Sequence, residues 1–289
     1  MTGTNASYYK TVAHPGRKTA VFLRVLVYFA AVVTVTVLLF LLGYVLIKGV
    51  PYLTPDLFAW KYTSNNVSMM PAIINTVLMT VSSLIIAAPL GIFAAVYLVE
   101  YAKRGNKFVS VVRVTAETLA GIPSIVYGLF GLLFFVTRLQ WGLSLIAGAF
   151  TLAVMILPLI MRTTEEALKA VPDMYREGSF GLGAGRLRTV FSIVLPAAIP
   201  GILAGIILGI GRIVGETAAL IYTAGTVAKV PENVFTSTRT LSVHMYSLAR
   251  EGLHINQTYA TAVVLLIVVV GINALSSMVA RRLIKRNGS

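Results

Sequence analysis

No cysteine occurs among the 289 residues, which excludes a disulfide framework, a thiolate metal site and a cysteine nucleophile. Histidine is nearly as scarce, and His14, His244 and His254 are scattered without metal-ligand spacing, so no metal site is expected. Charge is scarce as well: 12% of residues are Asp, Glu, Lys or Arg against 57% hydrophobic, too little polar surface for a soluble domain of this size. The shortage is one-sided, with 10 acids against 24 Lys and Arg and a net charge of +14. Such a balance would suit nucleic acid if the basic residues formed a patch. They lie instead between apolar runs, so nucleic acid is not an expected partner.

A phosphate-cradling Gly-x-x-x-x-Gly-Lys-Ser/Thr loop is also missing. Gly16-Arg17-Lys18-Thr19 and the stretch Gly181 to Arg188 lack the Gly-Lys pair, and Gly181-Leu182-Gly183-Ala184-Gly185 fails as a dinucleotide fingerprint. No serine, histidine and acid converge at membrane depth, so no catalytic residue is assigned.

What the chain does contain is apolar runs long enough to cross about 30 Å of hydrocarbon. Six are expected: Val25 to Ile47, Ala72 to Val99, Thr118 to Thr137, Leu139 to Met161, Ala197 to Ala224 and Tyr259 to Ala280. Pro89 and Gly91 are expected to kink the second, and Tyr127 reads as an interface anchor. The fold class is therefore an all-α polytopic membrane protein with six transmembrane helices. Residues 1–70 hold a tail, the first span and an external loop, and residues 71–285 form the transmembrane domain proper. The loops Lys48 to Pro71 and Tyr222 to Thr258 read as irregular.

The Lys and Arg residues set the orientation. Seventeen fall in the N-terminal tail, the second and fourth loops and the C-terminus, and six in the alternate loops. Both termini are thus expected in the cytoplasm of a multi-pass plasma-membrane protein, together with the loop 165–196. Arg113 and Glu117, beside the third span, read as a surface pair.

Within the loop 165–196, Val171-Pro172 breaks the helix leaving the fourth span, because the residue before proline avoids the α region. Pro172 and Asp173 suit the first turn of a new short helix. Gly181, Gly183 and Gly185 stop it and turn the chain, and a second helix from Arg186 is expected to end near Leu195-Pro196. The product is a cytoplasmic helix-turn-helix too polar to enter lipid.

Deep in the fifth span stand Arg212 and Glu216, with Arg212 roughly 22 Å along the helix from Ala197. A charge at that depth faces a cavity or a partner. The i, i+4 spacing puts both on one face, which suits a self-neutralising pair or an anion site in which Glu216 tempers Arg212. Arg162, at the end of the fourth span, either snorkels to the interface or joins the same path.

Glu177-Gly178-Ser179, then Gly183, then Ile193-x-Leu195-Pro196 reproduces the spacing of the EAA loop of ABC importer membrane subunits, with Gly and Ser in place of two alanines. Ile122-Pro123-Ser124-Ile125-Val126-Tyr127-Gly128 and Gly211-Arg212-Ile213-Val214-Gly215-Glu216-Thr217-Ala218-Ala219-Leu220 resemble signatures of the phosphate importer permeases, the A-type more than the C-type subunit. The resemblance implies a type I importer permease of the binding-protein-dependent transport inner-membrane family, in a bacterial or archaeal plasma membrane. It implies inorganic phosphate as substrate, with Arg162, Arg212 and Glu216 lining its path. It further implies a C-type permease partner, an ATP-binding subunit dimer that alone binds ATP and Mg, and an extracytoplasmic phosphate-binding protein. Glu177, Gly178, Ser179, Gly183, Ile193, Leu195 and Pro196 would then couple to the ATPase. A permease for another oxyanion, such as sulfate or molybdate, and an ATP-independent anion channel or secondary transporter are the alternatives.

Overall fold

A computed structural model describes residues 17–103 and 105–287. Arg104 and the tail before Arg17, both counted above, lie outside the described residues. The chain divides into two compact units, Met1–Ile47 and Lys48–Ser289. The first is dominated by helix α1 (Arg17–Gly49), whose apolar stretch is long enough to span a bilayer.

Among its described residues the second unit contains helices and no strands. Its helices are α2 (Met70–Val96), α3 (Lys107–Ala120), α4 (Ser124–Gly131), α5 (Leu145–Lys169), α6 (Asp173–Gly181), α7 (Arg186–Thr189), α8 (Leu195–Gly215), α9 (Ala218–Thr223), α10 (Leu241–Glu251) and α11 (Ile255–Asn287). Two 3₁₀ turns, Val50–Tyr52 and Pro55–Phe58, precede α2. Helix α5 is the centre of the unit. Leu152, Met155, Ile156, Ile160 and Leu168 on it are fully buried, packed among α2, α8 and the short α4 and α9.

Five helices have the length and apolarity of membrane spans, and α3 with α4 makes a sixth only as a bent pair. The third span is therefore not the straight segment expected from Thr118 to Thr137. Helix α3 ends at Ala120, the chain breaks at Gly121-Ile122-Pro123, and Ser124–Arg138 leaves at 102° to Lys107–Ala120. Ile122 precedes a proline and so avoids the α region. Tyr127 is buried rather than interfacial, and its hydroxyl donates to the Leu119 carbonyl at 2.8 Å, tying the two sides of the bend together.

The fifth span also departs from expectation. Helix α8 stops at Gly215, Glu216 is extended (φ −71°, ψ 129°), and α9 restarts the helix at Ala218. The second span, by contrast, continues through Pro89 to a π-helical turn at Tyr97–Tyr101. The stretch Tyr222 to Thr258 is more ordered than its composition suggests, since α10 occupies much of it.

Close approach of α5 and α8 depends on small residues. Gly201 and Gly205, four residues apart on α8, face Ala167 and Thr163 of α5, and Gly209 continues the same stripe toward Ile160. A Cβ at Gly201 would stand 2.5 Å from the Ala167 Cβ, and one at Gly205 would collide with the Thr163 hydroxyl. Such a small-residue seam lets two backbones approach closely where apolar packing alone gives little drive inside lipid. It sets the register of α8 against α5.

Gly205→Val should force the seam apart, at about 1–3 kcal/mol of overpacking. Gly211→Ala, where the nearest atoms to a new Cβ lie at 3.8 Å, should be close to neutral. Thermal unfolding of the two variants in the same detergent checks this, with a lowered midpoint expected for Gly205→Val alone.

Candidate functional site

The loop 165–196 forms one structured corner. Helix α6 ends in a complete Schellman arrangement: Gly183 N–H donates to the Phe180 carbonyl at 2.9 Å and Ala184 N–H to the Ser179 carbonyl at 3.1 Å. Gly183 holds φ at +82°, the left-handed region that a Cβ disfavours. Ser179 is buried and its hydroxyl lies 2.8 Å from that of Thr189, joining α6 to α7. Gly178 and Glu177 are exposed on the outer side of α6, and nothing stands within 4 Å of a Cβ built on Gly178.

The second helix does not end near Leu195-Pro196. Arg186–Gly215 runs continuously as 30 residues, widened to a π-helix over Val190–Val194. Pro196 lies in the first turn after that π segment, where its missing N–H is accommodated. Leu195 packs on the cluster of Val190, Val194, Val171 and Leu168, while Ile193 and Pro196 are half-buried. Around Glu177 the corner exposes large apolar side chains: Met174, Tyr175, Phe180, Leu187 and Leu182, the last 92% exposed. Exposed apolar side chains gathered in this way are a mark of an interaction surface.

One side chain ties this corner to the rest of the unit. Arg176, just before Glu177, reaches Glu100 on the π turn at the end of α2, with Nη2 to Oε1 at 2.7 Å and Nε to Oε1 at 3.2 Å. Its remaining donors go to the Leu168 carbonyl (2.9 Å), the Val171 carbonyl (2.8 Å) and Asp173 Oδ1 (3.2 Å). All five guanidinium N–H groups are used, and both Arg176 and Glu100 are largely buried. The sequence reading counted Arg176 only as a topology signal and passed over Glu100.

Arg162 and Arg212 line one cavity of about 400 Å³, together with Arg113, Glu117, Glu165, Glu166 and Lys169. Glu165 is buried and carries ion pairs to Arg113 at 2.6 Å and Lys169 at 2.5 Å, so Arg113 does not make the expected surface pair with Glu117. Among the described residues Arg162 has one ion pair, to Glu166 at 3.1 Å, an exposed i, i+4 contact. Among the described residues Arg212 has no ion pair and no side-chain hydrogen bond. Two of the four cations thus share one carboxylate, one is loosely held and one is free.

Glu216 is not the partner of Arg212. With the helix broken at Gly215, the i, i+4 geometry is lost. The buried Glu216 carboxylate instead accepts from Ala219 N–H at 3.1 Å, and its carbonyl accepts from the Ser242 hydroxyl at 2.6 Å. It shapes the break between α8 and α9. Glu165, which the sequence reading did not single out, carries an i, i+4 signal toward Lys169 that could have found it. No group of His, Cys, Asp and Glu suited to a metal ion occurs among the described residues.

Gly183→Val should strain the turn by about 1–2 kcal/mol, whereas Gly183→Asn, which tolerates the left-handed region, should cost less. The space beside Gly183 is open, so the cost is one of backbone alone. Limited proteolysis between Phe180 and Arg186 should accelerate for the valine variant and stay near the wild-type rate for asparagine.

The chain is similar to known proteins in sequence and in fold. "Probable ABC transporter permease protein YqgI" of Bacillus subtilis is 35% identical over 238 residues, covering 77% of this chain and 81% of that protein. "Phosphate transport system permease protein PstA 1" of Mycobacterium tuberculosis is 37% identical over 198 residues, 68% of this chain and 64% of that protein, so the match spans just under two thirds of its length. In fold, the chain resembles a bacterial ABC transporter involved in the import of the acidic polysaccharide alginate, with a TM-score of 0.65 at 15% identity over 92% of this chain and 99% of that one. It also resembles the MetNI methionine ABC transporter, with a TM-score of 0.58 at 20% identity over 74% and 94%. Residues 87–288 match the model of one family, and the chain belongs to it: the binding-protein-dependent transport system inner membrane components.

Proposed function

We propose that this chain is the membrane-spanning permease subunit of an ATP-driven importer of inorganic phosphate. The observation that carries the reading is the meeting of Arg162 and Arg212, from two helices, in one cavity where neither is fully neutralised. A guanidinium keeps its charge at any working pH and presents a planar fork to a tetrahedral oxyanion. Likeness to phosphate permeases such as the mycobacterial protein supports phosphate as that oxyanion.

The chain's own residues account for weak, reversible holding. Glu165 occupies Arg113 and Lys169, which lowers the positive field to a level an anion can leave. The Arg162–Glu166 contact is exposed and screened by solvent, so an arriving phosphate can take Arg162 from Glu166. Arg212, half-buried and unpaired, is the fixed ligand.

The apolar corner around Glu177 is the docking surface for an ATP-binding subunit dimer, which supplies the ATP and Mg that this chain has no loop to hold. Arg176 carries displacement of that corner to the ends of α2 and α5, and so to the cavity wall. The remaining partners are a C-type permease and an extracytoplasmic phosphate-binding protein. Both termini and the corner face the cytoplasm, by the distribution of Lys and Arg.

Radiolabelled phosphate uptake by reconstituted importer tests this. Arg212→Gln should lower uptake at least about ten-fold with the complex assembled, and Arg212→Lys should lose most activity because an ammonium lacks the fork. Since Glu216 does not pair with Arg212, adding Glu216→Gln should not restore uptake. Wild-type uptake by Arg212→Gln would contradict the reading.

A further inference from the structure

A second and larger cavity, of about 930 Å³, opens beside the coupling corner. Its walls come from the turn that ends α2, the start of α3, the end of α5, helix α6 and the helix that opens at Arg186. Three of the apolar spans, Met70–Tyr101, Leu145–Lys169 and Arg186–Gly215, each have one end here. A hollow at the shared end of three spans sits where hydrocarbon gives way to headgroups.

Its charge is strongly one-sided. Six cations line it against two acids, and both acids are already taken, since Glu100 and Asp173 pair with Arg176. Arg113 and Lys169 share Glu165. Lys103, Lys107 and Arg186 remain. All three are exposed, and among the described residues none of them has an ion pair or a side-chain hydrogen bond. The Arg186 guanidinium lies over the Tyr101 ring, 5.9 Å from its centre, which steadies it without answering its charge. Like charges gathered around one hollow focus a positive field that an anion relieves.

The groups on offer, two ammoniums and a guanidinium, recognise a phosphate group. The rest of the lining says which kind. Leu98, Val99, Val109 and Phe180 give the cavity an apolar side, and its volume lies at the upper end of small-ligand sites. A free phosphate ion fills little of that volume and leaves the apolar side bare. A phospholipid uses both, and basic pockets between membrane helices on the cytoplasmic side suit anionic headgroups. We propose that this cavity binds the phosphate headgroup of an anionic phospholipid of the cytoplasmic leaflet. The proposal rests on the reading above that the corner faces the cytoplasm. Because α3, α5 and α6 all contribute to the lining, the bound lipid ties the coupling corner to the membrane surface beside the Arg176–Glu100 pair.

Native mass spectrometry of the purified, assembled importer, titrated with phosphatidylglycerol or with phosphatidylcholine, tests it. Wild type should bind phosphatidylglycerol about ten-fold more tightly than phosphatidylcholine, and Lys107→Gln with Arg186→Gln should lose that preference. Lys103→Gln with Lys107→Gln, which leaves the corner untouched, should weaken binding in the same direction and decides the matter if the first variant does not assemble. Arg281→Gln with Arg282→Gln removes two exposed cations of α11 outside the cavity and should keep the wild-type affinity. Unchanged phosphatidylglycerol affinity in the cavity variants, or equal weakening in the α11 variant, would overturn the proposal. Exclusion of phosphatidylglycerol by inorganic phosphate, and not by chloride at equal ionic strength, would assign the cavity to the free ion. Loss of the ATP-binding subunits from the cavity variants with lipid binding intact would assign its cations to an acidic partner surface. Both results count against the lipid. None of these outcomes bears on the importer reading, because nothing measured depends on phosphate transport.

Discussion

The bidentate contact of Arg176 with Glu100 is the joint on which the arrangement depends. It is formed by residues 76 apart in sequence, one on the exposed corner and one at the end of a membrane span. Because the same guanidinium also takes the Leu168 and Val171 carbonyls, it closes the end of α5 while it holds α2. A buried pair of this kind adds little net stability compared with well-packed apolar residues, yet breaking it from one side strands a charge at about 3–5 kcal/mol. Its value is therefore in fixing geometry. The exposed corner and the ends of two spans therefore share one buried side chain.

From that joint the chain of contacts runs to the cavity by way of the glycine seam. Gly201, Gly205 and Gly209 let α8 lie against α5 closely enough for Arg212 to share a cavity with Arg162. Glu165 then lowers how positive the cavity is, its one carboxylate shared by two of the four cations. The two halves of the site answer to different physics. The corner is positioned by packing, backbone hydrogen bonds and the buried Arg176–Glu100 pair, whereas the cavity is an electrostatic balance among four cations and three acids.

Much of this was legible in the sequence, and the misses share a cause. The apolar runs and the turn at Gly183 follow from local composition and spacing, and Arg212 stands out by the cost of charge in lipid, whereas Arg162 was joined to it only by the family resemblance. The break after Gly215 does not. Its partner, the Ser242 hydroxyl, lies 26 residues downstream, and no local pattern encodes that contact. The assignment of Glu216 to Arg212 failed for the same reason, since it assumed a helix that a distant residue interrupts. The bend at Pro123 could have been read, because the residue before proline resists the α region, but apolarity was allowed to override it. Glu100 gave no signal at all. It is one charged residue beside a span, and only folding shows its partner.

The central claim is that the corner and the cavity are mechanically joined through Arg176 and Glu100. The most direct measurement is phosphate imported per ATP hydrolysed, in reconstituted importer carrying Glu100→Leu together with Arg176→Met. Replacing both charges by apolar groups leaves no stranded charge, so the fold and the docking of the ATPase should survive. The account predicts ATP hydrolysis near the wild-type rate with phosphate import reduced several-fold. Import per ATP equal to wild type in that double variant would contradict it.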